Sequence, residues 1–212
     1  FAVGTTATGL YGRLTIEANG NYSYNADLDA AKRLLNGEVR NETFTYFISD
    51  SSNAEDTGEI TFSITGVNDK PTAIDDIKQV NENDNKFFGN AQGLLMNDND
   101  LDGDPLEITD VRIGLKTARV VGPEAIGNEV QGNFGKLILE KDGSYRFNAN
   151  GNNVDALDEG DVETDIFTYT LSDSLLEDKA EIRIQVTGIN DIPVLSTFTE
   201  ATITGQDNSA TL

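Results

Sequence analysis

The sequence predicts an all-β chain of tandem antiparallel β-sandwiches, on three observations. Short stretches alternate apolar and polar residues with period two, the spacing of a strand with one buried face. Clusters of Gly, Asn, Asp and Ser interrupt them roughly every ten residues, as in sandwich folds. The pattern of the first third then returns in the second half, which is the mark of a repeat array.

Taken in order, residues 10–16 form a short strand that ends at Asn19-Gly20, a type I′ hairpin signal. Asn21-Tyr22-Ser23-Tyr24 returns with both rings on one face. Residues 28–35 (LDAAKRLL) are the one helical-looking stretch, about two turns long, closed by Gly37. Thr43-Phe44-Thr45-Tyr46-Phe47-Ile48 is a strong strand, and residues 59–65 (EITFSIT) alternate again. The run Gly66-Val67-Asn68-Asp69-Lys70-Pro71 closes the first unit, because proline ends strand pairing. Strands follow at 74–80 and 106–111, and 114–132 is loop-rich. Then Phe134-Gly135-Lys136-Leu137 answers Tyr11-Gly12-Arg13-Leu14. Asp142-Gly143-Ser144-Tyr145-Arg146-Phe147 answers residues 19–24, Phe167-Thr168-Tyr169 answers residues 44–46, and Gly188-Ile189-Asn190-Asp191-Ile192-Pro193 answers residues 66–71. The alternation buries Leu14, Ile16, Tyr22, Tyr24, Phe44 and Tyr46 in one unit. It buries Leu137, Leu139, Tyr145, Phe147, Phe167 and Tyr169 in the other. Core packing explains these rings better than stacking on a ligand, although a ring displaced to the surface could stack on a sugar.

The chemistry gathers in Asn97-Asp98-Asn99-Asp100-Leu101-Asp102-Gly103-Asp104. Four carboxylates at alternate positions repel one another unless a cation sits among them. A hard cation with oxygen ligands fits, and Ca²⁺ accepts six to eight oxygens in flexible geometry. Asp98, Asp100, Asp102 and Gly103 match the first half of an EF-hand loop. The closing Glu is missing, since Thr109 stands there, and no helical pattern flanks the loop. The expectation is therefore a calcium loop in a β context, with further ligands from elsewhere in the chain. A solvated acidic turn is the alternative.

Composition narrows the partners. The chain has 37 acidic and 15 basic residues, a net charge of −22, which excludes nucleic acid and disfavours anionic membranes. Cysteine is absent, so metal is the available cross-link in a secreted setting. No signal peptide and no bilayer-length apolar run is visible. A start at Phe1 rather than Met reads as a mature product or a piece of something longer. Without His or Cys, the commonest general base and a thiol nucleophile are both missing, and no enzyme is expected.

The pieces Y-G-x-L-T-I, N-G-x-Y-x-Y, F-T-Y, S-D and G-x-N-D-x-P make residues 1–71 resemble a VCBS repeat. Residues 72–193, with A-x-D-D, N-E-N-D, N-D-x-D-x-D-G-D-x-L, D-G-S-Y, F-T-Y-T-L-S-D and G-I-N-D-I-P, resemble cadherin-like tandem repeats. Both kinds occur in bacterial RTX adhesins and biofilm-matrix proteins. Residues 194–212, with Ala201-Thr202-Ile203-Thr204-Gly205, look like the first strand of a further repeat. The resemblance implies Ig-like or cadherin-like sandwiches, type I secretion to the cell surface or medium, and calcium stiffening of the array. It also implies that inter-domain ions take ligands from both sides of a linker. Carried onto this chain, those are Asn68, Asp69, Asp75, Asp76 and Glu82 with Asp98, Asp100, Asp102 and Asp104, and Asp50 at the end of a strand that could reach the same pole. A second set is Asp173, Asn190 and Asp191. For the two Asn-Asp pairs, plain turn chemistry is the competing explanation. The expected partners are neighbouring repeats or other copies, through an end-to-end strand exchange by the tail. The related Rhizobium adhering proteins imply a second function, a calcium-dependent lectin for acidic exopolysaccharide.

Overall fold

The computed structural model describes residues 4–118 and 125–193. The segment 194–212, read above as a further first strand, lies outside the described residues. Among the described residues, thirteen strands and a single α-helical turn make an all-β, sandwich-type fold. The strands are β1 (Thr6–Thr8), β2 (Arg13–Ile16), β3 (Tyr22–Asn25), β4 (Val39–Ser49) and β5 (Glu55–Thr65), with α1 at Asp29–Lys32. They continue as β6 (Asp76–Asn81), β7 (Asn85–Phe88), β8 (Glu107–Ile113), β9 (Glu129–Gln131), β10 (Lys136–Leu139), β11 (Tyr145–Asn148), β12 (Val162–Ser172) and β13 (Glu177–Thr187). No helix among the described residues is long and apolar enough to cross a membrane.

The strands from β6 onward form two four-stranded sheets, ordered β7-β11-β10-β9 and β6-β13-β12-β8. One continuous core lies between them and includes Leu94, Ile108, Leu137, Leu139, Tyr145, Phe147, Phe167, Tyr169 and Ile182, all fully buried. Every core residue expected for this unit is there. Pairing is antiparallel apart from β6, which runs parallel to β13. The expected antiparallel sandwich is thus present with one parallel pair added, since strand direction is set by the path of the chain and not by side-chain alternation.

Strands β1-β2-β3 and the long hairpin β4-β5 make the other, smaller unit. Leu14, Ile16 and Phe44 are its buried centre, with Tyr24, Tyr46 and Phe62 packed against them. Tyr24 stacks on Phe62, with ring centroids 4.1 Å apart. Tyr22 departs from expectation: it is 59% exposed. Its counterpart Tyr145 is covered by Phe88 of β7, at a ring distance of 4.7 Å. Among the described residues no strand pairs with β3 as β7 pairs with β11, so the ring of Tyr22 keeps only an edge contact with Phe62, centroids 5.9 Å apart, and stays largely open.

Two local expectations also change. The helical stretch is one turn and buries no side chain, so little packing extends it. At Asn19-Gly20 only the glycine has positive φ, 84°, so the turn is not type I′, which needs positive φ at both positions. The backbone bonds Gly20 N to Glu17 O and Glu17 N to Asn21 O, and the Asp142-Gly143 turn repeats both bonds.

Removing the cover from Tyr145 tests this account of the core. Phe88→Ala should cost about 2–4 kcal/mol in urea unfolding of the larger unit, in the range of large-to-small core changes. A cost below about 1 kcal/mol would show that β7 does not seal this end of the sandwich.

Candidate metal centre

Asp100 starts the geometry. Its Oδ1 accepts the N–H groups of Asp102, Gly103 and Asp104 at 2.9, 3.1 and 3.3 Å. That turn needs Gly103, whose φ is +81°, a region L side chains avoid. The turn places carboxylate oxygens of Asp100, Asp102 and Asp104 within 4.8 Å of one another. Burial and the carboxylates of Asp100, Asp102 and Asp173 together raise the pKa of Asp104.

The linker is laced to this loop. Thr72 and Asn99 exchange both backbone hydrogen bonds, at 2.7 and 3.1 Å. Asp69 N donates to Asp102 Oδ2 at 2.8 Å, and Ile74 N donates to Asp98 Oδ1 at 2.8 Å. From the far side Asp178 accepts Lys70 Nζ at 2.6 Å and Ala73 N at 3.0 Å. Asn68 Nδ2 donates to Asp173 Oδ2 at 2.8 Å, while Asp173 Oδ1 accepts Leu175 N and Leu176 N. The amide nitrogen of Asn68 is thus committed, and its oxygen is left over.

Asn68 Oδ1, Asp100 Oδ2 and Asp102 Oδ1 are buried and have no hydrogen-bond partner. Such an atom ordinarily costs about 1–3 kcal/mol, and more when charged. All donors here are oxygens, which suits a hard cation of the calcium type and not a thiolate- or imidazole-seeking metal.

The remaining expected ligands do other things. Asp75 pairs with Lys116 Nζ at 2.8 Å and accepts Glu181 N at 3.0 Å. Asp98 accepts the Tyr169 hydroxyl at 3.1 Å. Asp50 closes its own turn by accepting Ser52 N and Ala54 N. Glu82 does not join Asn68 and Asp69. It is 2% exposed and accepts Ile189 N at 2.9 Å, beside Asn190 and Asp191 at the other linker motif. Its Oε2 is also buried without a partner. Asn190 and Asp191 are exposed.

Asp76 points into the sandwich from β6, at 8% exposure, with Oδ2 unpartnered. Burial, opposed by Lys78 and reinforced by Asp98, pushes its pKa up to about 6.

Two buried structural carboxylates are not singled out by the sequence reading. Asp165 is 1% exposed and accepts Asn133 N, Phe134 N and Gly135 N at 2.7, 3.0 and 2.9 Å. Glu42 occupies the same place in the repeat and accepts Leu10 N, Tyr11 N and the Tyr24 hydroxyl. The signal was present: each is an acid in phase with the inward aromatics of its strand, ahead of Phe44 and Phe167.

The fold and this pole define a class, a β-sandwich repeat whose linker end is acidic and lined with oxygen donors. Residues 68–188 match the bacterial cadherin-like domain, and the chain belongs to that family. Residues 1–63 match the bacterial Ig domain. The chain is 32% identical over 168 residues to the calcium-binding lectin RapA2 of Rhizobium johnstonii, covering 78% of this chain and 66% of the lectin. Among solved structures, the protocadherin GammaB4 extracellular domain is similar over 86% of this chain and 27% of that one, at 9% identity and a TM-score of 0.40. An endo-fucoidan hydrolase, MfFcnA4, is similar over 90% of this chain and 24% of its own, at 17% identity and a TM-score of 0.33. At such scores neither likeness bears on function.

The buried Asp76 gives a signed pH dependence. Its folded pKa of about 6 lies above the ordinary 3.8, so its contribution is complete below 3.8 and is lost as pH rises through about 6. In chelator, the melting temperature of wild type should therefore fall between pH 5 and 7.5. Asp76→Asn should flatten that slope and melt higher than wild type at pH 7.5. An Asn variant that melts lower at pH 7.5 would contradict it.

Proposed function

We propose that this chain is a calcium-clamped repeat module of a secreted or surface-attached bacterial adhesive protein, in the manner of RTX adhesins and biofilm-matrix proteins. Its partners are neighbouring repeats of the same kind of array, and it carries out no chemistry. Residues 1–71 and 72–193 act as successive units, the first VCBS-like, and 194–212 begins another. The observation that carries the reading is the trio of buried, unpartnered oxygens on Asn68, Asp100 and Asp102, one from the linker and two from the loop. Asp104 and Asp173 stand beside them as further oxygen donors, and Asp69 is tied in through its N–H. Glu82 with Asn190 and Asp191 would make a second calcium-binding end at the next linker, on the strength of the unpartnered Glu82 Oε2.

The physical role of the ion is rigidity. Without it, clustered carboxylates push the loop away from the linker. With it, the charges are neutralised and linker and sandwich move as one body. The family and the calcium-binding lectin relative both support calcium as the ion.

That same relative supports a second reading, a calcium-dependent lectin for acidic exopolysaccharide. The two readings share the calcium and differ in whether a sugar is bound.

Thermal unfolding with millimolar Ca²⁺ and with EDTA tests the clamp. Calcium at about a hundred times its Kd should add about 2.7 kcal/mol, a rise of several degrees. Asp100→Asn combined with Asp102→Asn should abolish that rise and leave the melting temperature in EDTA unchanged or higher, because repulsion is relieved. Equal melting of wild type in Ca²⁺ and EDTA would defeat the proposal.

A further inference from the structure

In a chain with 37 acids and 15 bases, a basic side chain without an acidic partner is informative. Arg13, Arg40, Lys70, Lys86, Lys116, Lys136, Lys141 and Arg183 are all in ion pairs. Arg146, like Lys32, Arg33, Lys78, Arg112 and Lys179, is in no ion pair among the described residues, but its guanidinium is held against an exposed aromatic ring. Its Cζ lies 5.6 Å from the centroid of the Phe87 ring, and Nη1 donates to Asn85 Oδ1 at 3.2 Å.

The register explains the placement. Arg146 on β11 sits directly across from Phe87 on β7 and Ile138 on β10, so all three share the outer face of the sheet β7-β11-β10-β9. On the same face the next row carries Asn85, Asn148, Lys136 and Gln131. Phe87 is 58% exposed, a large ring left open to water. Phe87, Arg146 and Ile138 line a groove of about 350 Å³, with Glu140 at its other side. That volume is at the low end of small-ligand sites, about 300–1000 Å³.

The geometry points to this groove as a saccharide subsite that takes a uronate residue of an acidic polysaccharide. This rests on the lectin reading and gives it a place on the molecule. The exposed ring offers an apolar platform for the C–H face of a pyranose. The guanidinium offers a planar fork that matches a carboxylate in two parallel hydrogen bonds, which a lysine could not reproduce. The amides of the neighbouring row offer donors and acceptors to hydroxyls. Glu140 accepts from a sugar hydroxyl but repels a second anion on the same ring, so the groove favours a sugar with one carboxylate over one with several sulfates. The net charge of −22 opposes a polyanion at long range, but at physiological salt that field is screened beyond about 8 Å, while contact with Arg146 is not.

The contact needs no bridging ion, unlike a sugar carboxylate held by calcium. Binding of the full chain to immobilised polygalacturonate, neutral dextran and dextran sulfate at physiological salt separates the cases. Wild type should bind polygalacturonate more than tenfold tighter than either other polymer. Arg146→Ala and Phe87→Ala should each lose at least tenfold, and Arg146→Lys should recover little. All three variants should melt within a few degrees of wild type, since the changes are on the surface. Polygalacturonate binding that Arg146→Ala leaves intact and EDTA abolishes would overturn the groove and keep a calcium-bridged lectin. Failure of wild type to bind any polymer would overturn both. Loss of self-association instead of sugar binding in Arg146→Ala would overturn the subsite in favour of a contact between copies.

Discussion

Each buried carboxylate in this acid-rich sandwich must find a positive partner, and that constraint organises the molecule. Asp165 finds three backbone N–H groups and Glu42 finds two with a tyrosine hydroxyl. Nearer the surface, the half-buried Asp178 finds Lys70 and Ala73 N, and the exposed Asp75 finds Lys116 and Glu181 N. These pairings are also what fold the loops: the carboxylate of Asp165 holds the bend at residues 133–135, and that of Asp178 holds the linker down. A carboxylate bonded by several N–H groups behaves as a structural rivet, since removing it strands all of those donors at once. One oxygen each of Asp76, Glu82 and Asp110 also lacks a partner, but those of Asp100 and Asp102 belong to a single cluster of carboxylates, with the Asn68 oxygen unpartnered as well, and it is that cluster that asks for a cation.

The two units show how the same local pattern gives unequal results. Strands β10 to β13 of the larger unit are sealed by β6, β7 and β8, and every inward residue is dry. Strands β2 to β5 repeat the alternation, but among the described residues no such strands flank them. Phe44 and Leu14 are buried, while Tyr22 and the outer part of β4 lie open. Burial is thus a property of the layer above a residue as much as of the residue itself.

Much of this was legible from the sequence. Period-two alternation fixes which side of a strand faces in, so Leu137, Leu139, Tyr145, Phe147, Phe167 and Tyr169 could be named in advance. The repeat tied the two units together, and the D-x-D-x-D spacing put three carboxylates on one turn. What alternation does not encode is which strand lies beside which. The parallel β6–β13 pair, the exposure of Tyr22 and the location of Glu82 at Ile189 all follow from that missing information. Spacing along the chain also does not encode that Asp75 pairs with Lys116, that Asp76 on β6 turns into the core, or that Asp98 in the loop accepts the Tyr169 hydroxyl. Asp165 and Glu42 were overlooked because an acid among aromatics reads as an outward residue until its phase is counted.

The most direct measurement is a crystal structure of this chain grown in calcium. The account predicts one ion coordinated by Asn68 Oδ1, Asp100 Oδ2 and Asp102 Oδ1, at the usual calcium–oxygen distance of about 2.3–2.6 Å. Those three oxygens bonded instead to water or protein donors, with no ion near them at millimolar calcium, would contradict it.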